Sequence, residues 1–208
     1  MNKTLFLALS LSTTWSCTKS IGDDDDFESN GTVACEDSVD GVTSTLVDAT
    51  SEEDWVYIDF ELCETVSVSD PETDQSWDIG FRRFNPKVNG GISGSGGMEV
   101  ATLAGADFDM VTSAPTDGYT TDAVDDDDDG TPEYALGDWY DYNFDTHILT
   151  PIDAVYVVKT VEGNYVKIQF EDYYDEAGTS GFMRFSWAFI DPPGTGDDGG
   201  SDDSAGTD

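Results

Sequence analysis

The chain has 208 residues, 45 of them acidic and 8 basic, which gives a net charge of -37 at pH 7. A field of that sign repels nucleic acid and anionic lipid surfaces, and it excludes both as direct partners. Most of the carboxylates are read as a solubilising surface, and only clustered ones as potential cation ligands.

In chain order, Met1 to Thr4 carries one positive charge and Leu5-Phe6-Leu7-Ala8-Leu9-Ser10-Leu11 is apolar. The run is well short of the roughly 20 residues that span a bilayer, and it has the length of a signal-peptide core. Ser16 then precedes Cys17. This resembles the cleavage site of bacterial lipoproteins, in which the cysteine becomes the first mature residue and carries acyl chains; Thr14 and Trp15 depart from that pattern. Several acyl chains on Cys17 would anchor the protein firmly. Residues 1–16 are therefore expected to be a lipoprotein-type signal peptide. Residues 17–40, with Asp23-Asp24-Asp25-Asp26, are expected to be an acidic tether.

Removing the signal leaves Cys35 and Cys63, which in an oxidising compartment are expected to pair; two unpaired thiols are the alternative. Residues 41–191 have the size of one domain, and 192–208 form an acidic, glycine-rich tail expected to be disordered. Within the domain the hydrophobic period is two. Trp55 to Phe60 is β-branched and aromatic. Trp77, Ile79, Phe81 and Arg83 fall on one face of a strand, with Asp78, Gly80, Arg82 and Phe84 on the other. Val155 to Val161 and Tyr165 to Tyr173 flank Glu162-Gly163-Asn164, a hairpin signal. Met183, Phe185, Trp187 and Phe189 alternate with polar or small residues in a last strand. No segment after the signal has a helical pattern. The expected fold is all-β, one antiparallel sandwich or barrel-like domain.

Several strings resemble the HmuY family of bacterial surface haem-binding lipoproteins. They are Trp77 to Phe84, Lys87-Val88-Asn89-Gly90-Gly91, Ser93 to Gly97, Ala114 to Tyr119, Trp139-Tyr140, Thr146 to Pro151, Val155 to Lys159, Tyr165 to Phe170 and Tyr173-Tyr174. They run in family order over roughly residues 45 to 190. The resemblance implies a HmuY-like β fold, a lipid anchor at the outer membrane surface and capture of haem. It also exposes a departure. Well-known members hold iron between two histidines, whereas this chain has only His147. One family ligand position falls in or near Asp125 to Asp129 and the other close to Phe144. His147 itself is read as part of a packing or turn element. Methionine can also ligate haem iron, so Met98, Met110 and Met183 are candidates beside His147, with Met183 reading as core. Arg82 and Arg83 are candidates for the haem propionates; the alternative pairs them with carboxylates.

The run Asp125 to Gly130 contains D-x-D-x-D-G. Alternating carboxylates before a glycine turn can wrap oxygens around Ca²⁺. Asp125, Asp127 and Asp129 would ligate through side chains, Thr131 through its carbonyl and Glu133 through its carboxylate. Leu136 stands where an EF-hand needs glutamate, so the loop is not one. Two functions follow as expectations. The first is a membrane-tethered lipoprotein binding haem or another small ligand. The second is a calcium-stabilised structural or adhesive surface module. An enzyme is not expected: the chain has one histidine and no G-x-S-x-G, and a paired-carboxylate hydrolase, which 45 acids always allow, is the remaining alternative.

Overall fold

The computed structural model describes residues 33–37 and 40–194. The signal segment, Cys17, most of the expected tether and the tail beyond residue 194 lie outside the described residues. The fold is all β, as expected. A seven-stranded antiparallel sheet has the order β1-β2-β13-β12-β11-β7-β8. Its strands are β1 (Val33–Asp37), β2 (Thr43–Asp48), β7 (Glu99–Ala104), β8 (Tyr119–Thr120), β11 (Ala154–Lys159), β12 (Tyr165–Tyr174) and β13 (Ser180–Ile190). A four-stranded sheet has the order β4-β3-β5-β6, from β3 (Val56–Asp59), β4 (Glu64–Val66), β5 (Ile79–Arg82) and β6 (Asn85–Val88). A separate hairpin joins β9 (Tyr140–Asn143) to β10 (Ile148–Pro151). The only helix among the described residues is a 3-10 turn, Phe108–Met110.

The two larger sheets face each other across one apolar core. Ile58, Ile79, Phe81 and Val88 come from one sheet, and Val158, Ile168, Phe170 and Phe185 from the other. Phe81 stacks on Phe185 at 5.5 Å, and Phe60 meets Trp187 edge-on at 5.0 Å. The expected hairpin around Glu162-Gly163-Asn164 forms, with Tyr156 opposite Ile168 and Lys159 opposite Tyr165. In the last strand Met183, Phe185 and Trp187 are buried as expected, while Phe189 is half exposed and meets Trp187 edge-on at 5.6 Å.

Two features differ from the sequence reading. Strand β1 lies inside the expected tether, paired with β2 from Val33 opposite Val47 to Asp37 opposite Thr43. A disulfide between Cys35 and Cys63 holds it there, with Cα atoms 6.4 Å apart, stapling the edge strand to the turn between β3 and β4. The simple two-faced reading of the Trp77 segment also fails. Trp77, Asp78, Ile79, Gly80 and Phe81 are all buried, and Arg83 leaves the strand at φ 54°.

Asp78 explains why both faces are covered. Its carboxylate accepts N–H bonds from Phe60 at 2.9 Å and Val161 at 3.0 Å, so it links the ends of the two sheets. Its main chain donates to Ile58 and accepts from Asn89. Asn89, fully buried, donates from its amide to the carbonyls of Asp74 and Trp77 and accepts from Gly96 N–H. Asp122, also buried, accepts from Val88 and Ala135 N–H. Gly91 sits at φ 58° with the Asp122 carbonyl against the place a Cβ would occupy, so only glycine fits. The string from Trp77 to Gly97 is thus a polar frame around the glycine-rich loop.

Burial pushes the Asp78 carboxyl up to about 7; the Phe60 and Val161 N–H groups oppose this, and the charges of Glu61 and Glu162 add to it. Asp122 and Glu162 are raised in the same direction, each chiefly by desolvation. A raised folded-state pKa gives stability that is full below the ordinary Asp range and is lost as pH rises through the folded value. Unfolding free energy is therefore expected to fall by about 2 kcal/mol between about pH 5 and pH 8. Urea melts across that range check it. Asp78→Asn should be less stable and should flatten the profile; a profile that rises with pH in the unaltered protein would contradict the assignment.

Candidate functional site

The β9–β10 hairpin carries the most exposed aromatic surface of the described residues. Tyr140, Tyr142 and Phe144 alternate with Asp141, Asn143 and Asp145. The turn is fixed by Asn143, whose side-chain oxygen accepts from Asp145 and Thr146 N–H, and whose carbonyl accepts from His147 N–H at 2.8 Å. His147 closes the turn at φ 58°. At the base, Trp139 is fully buried and donates from Nε1 to the Phe84 carbonyl at 2.8 Å. Leu149 N–H donates to the Tyr174 hydroxyl at 3.0 Å, fastening β10 to β12. The tip then projects: Phe144 is 82% exposed, Ile148 43% and Tyr142 39%. Phe144 meets Tyr142 edge-on at 5.0 Å, and the Tyr142 hydroxyl is hydrogen-bonded to His147 Nδ1. In a chain of this charge, apolar rings held out by a fastened base mark a contact surface.

The other candidates for iron fare differently. Met98 and Met183 are fully buried in the core and cannot reach a ligand at the surface. Met110 is exposed on the 3-10 turn, which packs on β12 where Lys167 Nζ donates to the Phe108 carbonyl at 2.7 Å. His147 is an exposed turn residue with a left-handed backbone, its ring 5.9 Å from that of Tyr142. Arg83 is a structural clamp. It donates to the carbonyls of Thr50 and Ser180 and to the Ser180 hydroxyl, and lies 5.9 Å from the Tyr173 ring. Arg82 lies over the Trp55 ring at 4.6 Å, as does Lys87 at 4.2 Å. Lys87 is buried among Trp55, Tyr57 and Trp77, and desolvation lowers its pKa to about 8. Arg82 and Lys87 thus lie against aromatic faces and Arg83 against carbonyls, while the charges of Asp122 and Glu72 also act on Lys87; neither arginine lies at the hairpin tip.

The acidic loop brings together three of its five predicted ligands. Carboxylate oxygens of Asp125, Asp127 and Glu133 lie within 4.8 Å of one another. Asp129 is not among the three; its carboxylate accepts from Thr131 N–H at 2.7 Å. Asp125 accepts from Asp128 and Gly130 N–H, and Ala123 pairs with Glu133 across the loop base. A second trio, Asp59, Glu61 and Glu162, was not foreseen. Two shallow concavities lie elsewhere. One, of 590 Å³, is rimmed by Asp107, Asp109, Asp153 and Glu171. The other, of 760 Å³, runs past Trp55 and Tyr57 with Asp48, Asp54 and several hydroxyls.

With this geometry the comparisons can be read. The sequence profile of the HmuY protein family matches residues 51–187. The chain belongs to the HmuY family. Among solved structures, a candidate HmuY-like haem-binding protein of Bacteroides vulgatus aligns with a TM-score of 0.57 at 23% identity, covering 76% of this chain and 97% of that one. The apo form of a HmuY analogue from Tannerella forsythia gives a TM-score of 0.56 at 20% identity, covering 76% and 96%. A candidate lipoprotein of Bacteroides fragilis gives 0.56 at 22%, covering 76% and 95%. At these identities the likeness establishes the fold. No curated protein matches the chain.

Sequence reasoning placed His147 but missed Tyr142 and Phe144 as its neighbours. The signal was present: aromatic residues alternate with the polar Asp141, Asn143 and Asp145 from Tyr140 to Asp145, which gives the segment one sticky face. Their roles separate cleanly. Phe144→Ala should leave the unfolding free energy within about 0.5 kcal/mol of the unaltered protein, whereas Trp139→Ala should cost roughly 3–5 kcal/mol. Denaturant melts of both variants measure this; a strongly destabilising Phe144→Ala would show that the tip is packed rather than presented.

Proposed function

We propose that this protein is an exported lipoprotein, tethered to the outer membrane surface through Cys17, that captures a tetrapyrrole of the haem class on its β9–β10 hairpin. The observation that carries the reading is the hairpin tip in a HmuY-family chain. It offers exposed apolar rings for a flat ligand beside a paired phenol and imidazole, the donor types that ligate iron. Membership of the family and the lipoprotein-type signal at Ser16-Cys17 support the anchor and the location. With one histidine in the chain, two-histidine ligation within a single copy is impossible. The site is therefore one-sided, and binding rests on ring contact and a single iron bond.

The test is an absorbance titration of the full chain in detergent with ferric haem. One equivalent is expected to bind without the sharp low-spin spectrum of two histidines. Phe144→Ala should weaken binding by about tenfold, the loss expected for one buried aromatic contact. Absence of binding, or binding indifferent to Phe144, would remove the hairpin as the site.

A second reading has one specific observation in its favour, the convergence of Asp125, Asp127 and Glu133. The Glu133 carboxyl is raised even though it accepts from Asp126 N–H, because desolvation and the Asp126 and Asp127 charges outweigh that bond. A divalent cation would relieve this repulsion and stabilise the loop as part of a surface module. Calorimetry on chelated protein should then show calcium binding in the micromolar-to-millimolar range of extracellular modules, roughly 10⁻⁶–10⁻³ M, lost in Asp125→Asn with Asp127→Asn. Heat that survives this pair of changes would assign it to the general acidic surface.

A further inference from the structure

We propose that the outer face of the smaller sheet carries an anion site, built from Arg82, Lys87 and the rings of Trp55, Tyr57, Trp77 and Tyr134, that takes the carboxylate of a small organic acid. The site goes beyond the tetrapyrrole reading and does not rest on it. Strand register creates it. Gly80 stands opposite Tyr57 on one side and Lys87 on the other, and Arg82 stands opposite Asn85. Arg82 and Lys87 are therefore diagonal neighbours on one face of the sheet. A Cβ at Gly80 would lie 3.0 Å from the Tyr57 ring and 3.1 Å from Lys87 Cε, so the glycine lets those two side chains meet. Trp55 gathers both cations: Lys87 Nζ lies 4.2 Å and Arg82 Cζ 4.6 Å from its ring centroid. Tyr134 meets Trp55 edge-on at 5.9 Å.

The cluster consists of donors. In a chain with 45 acids, neither Arg82 nor Lys87 makes an ion pair or a hydrogen bond among the described residues. Lys87 is only 7% exposed, so water replaces little of what a partner would give its ammonium. Trp77 is 1% exposed and its Nε1 has no hydrogen-bond partner, while Lys87 Nζ sits 5.3 Å from the same ring. Two unpartnered donors on side chains more than nine-tenths buried call for an acceptor. The carboxylates that act on Lys87 do not supply it. Asp122 already accepts from Val88 and Ala135 N–H, and Glu72 acts through its charge without a bond. Desolvation brings the Lys87 amine down to about 8 and pushes the Tyr57 phenol up to about 12, so at neutral pH both still carry protons to donate. Half-buried Arg82, Trp55 and Tyr134 form the open edge. The guanidinium fork matches the two oxygens of a carboxylate, and the field of the whole chain favours a ligand with one charge over one with two. A tetrapyrrole seated at the hairpin tip does not bring its propionates here.

The test titrates sodium acetate into the unaltered full chain in detergent, labelled with ¹⁵N and with ¹³C at lysine Cε. Sodium chloride and sodium sulfate are run at equal ionic strength. Acetate is expected to give saturable shifts of the Trp55 and Trp77 indole N–H and of Lys87 Cε. It should also raise the Lys87 pKa, because a bound anion favours the ammonium. Arg82→Gln, at the half-buried edge, and Lys87→Met, which keeps most of the stem, should each weaken acetate at least about tenfold. Phe144→Ala should leave acetate binding unchanged, which separates failure here from failure at the hairpin. Shifts no larger than those with chloride, or shifts that survive both variants, would overturn the site. Tighter binding of sulfate than of acetate would overturn the choice of a carboxylate. Contacts of Lys87 Cε protons with an aspartate or glutamate of the same chain before any addition would show the site already filled and would overturn it too.

Discussion

The Asp78 carboxylate, buried between the N–H groups of Phe60 and Val161, is the contact on which the rest of the architecture depends. A buried carboxylate is costly unless its oxygens are satisfied. Here the two bonds come from the ends of different sheets, so satisfying the charge also aligns the sandwich. Asn89 continues the frame with its own buried bonds, and Asp122 closes it against β6. The glycine-rich loop is the consequence. Backbone carbonyls and the Asn89 side chain come so close to Gly90, Gly91 and Gly94 that no side chain fits. A loop packed this closely on Asn89 and Asp122 is a structural device.

Charge narrows where recognition can lie. The net charge of -37 opposes any ligand bearing carboxylates, and four cations of the domain are already engaged. Arg83 clamps Thr50 and Ser180, Arg82 and Lys87 lie against Trp55, and Lys167 bonds the Phe108 carbonyl. Binding of a dianionic tetrapyrrole at the hairpin tip therefore cannot lean on propionate pairing with these groups. On the proposed reading it comes chiefly from ring contact and from the iron. The β9–β10 hairpin is the place that offers both, since Phe144 and Ile148 are held out from a base fastened by Trp139 and Tyr174.

Much of the fold was legible because strand period is a local property. The alternation in Met183 to Trp187 and the Gly163 turn predicted β13 and the β11–β12 hairpin directly. The Cys35–Cys63 pairing was legible from count and compartment, but its position on an edge strand was not. Short Val33–Asp37 looks like tether until a partner strand and a disulfide hold it. The site was less readable. His147 was visible as the single histidine, yet its meaning depends on φ 58° and on Tyr142, which five residues of turn geometry bring together. Met98 could not be told from a ligand by sequence, since only the packed core shows that it is inaccessible. The acidic loop read as five ligands because sequence gives spacing, whereas the folded loop brings the carboxylates of Asp125, Asp127 and Glu133 together without that of Asp129.

The central claim is that tetrapyrrole recognition belongs to the hairpin and not to the polar frame or the two acidic concavities. Gallium protoporphyrin, a diamagnetic stand-in for ferric haem, can be titrated into ¹⁵N-labelled protein and followed amide by amide. The account predicts that shifts concentrate in Tyr140 to Pro151 and at Phe84, which packs against Tyr140 at 5.8 Å. Shifts centred instead on Asp48 to Tyr57 and Thr65 to Ser69, or on Asp107 to Asp109 and Glu171, would contradict it.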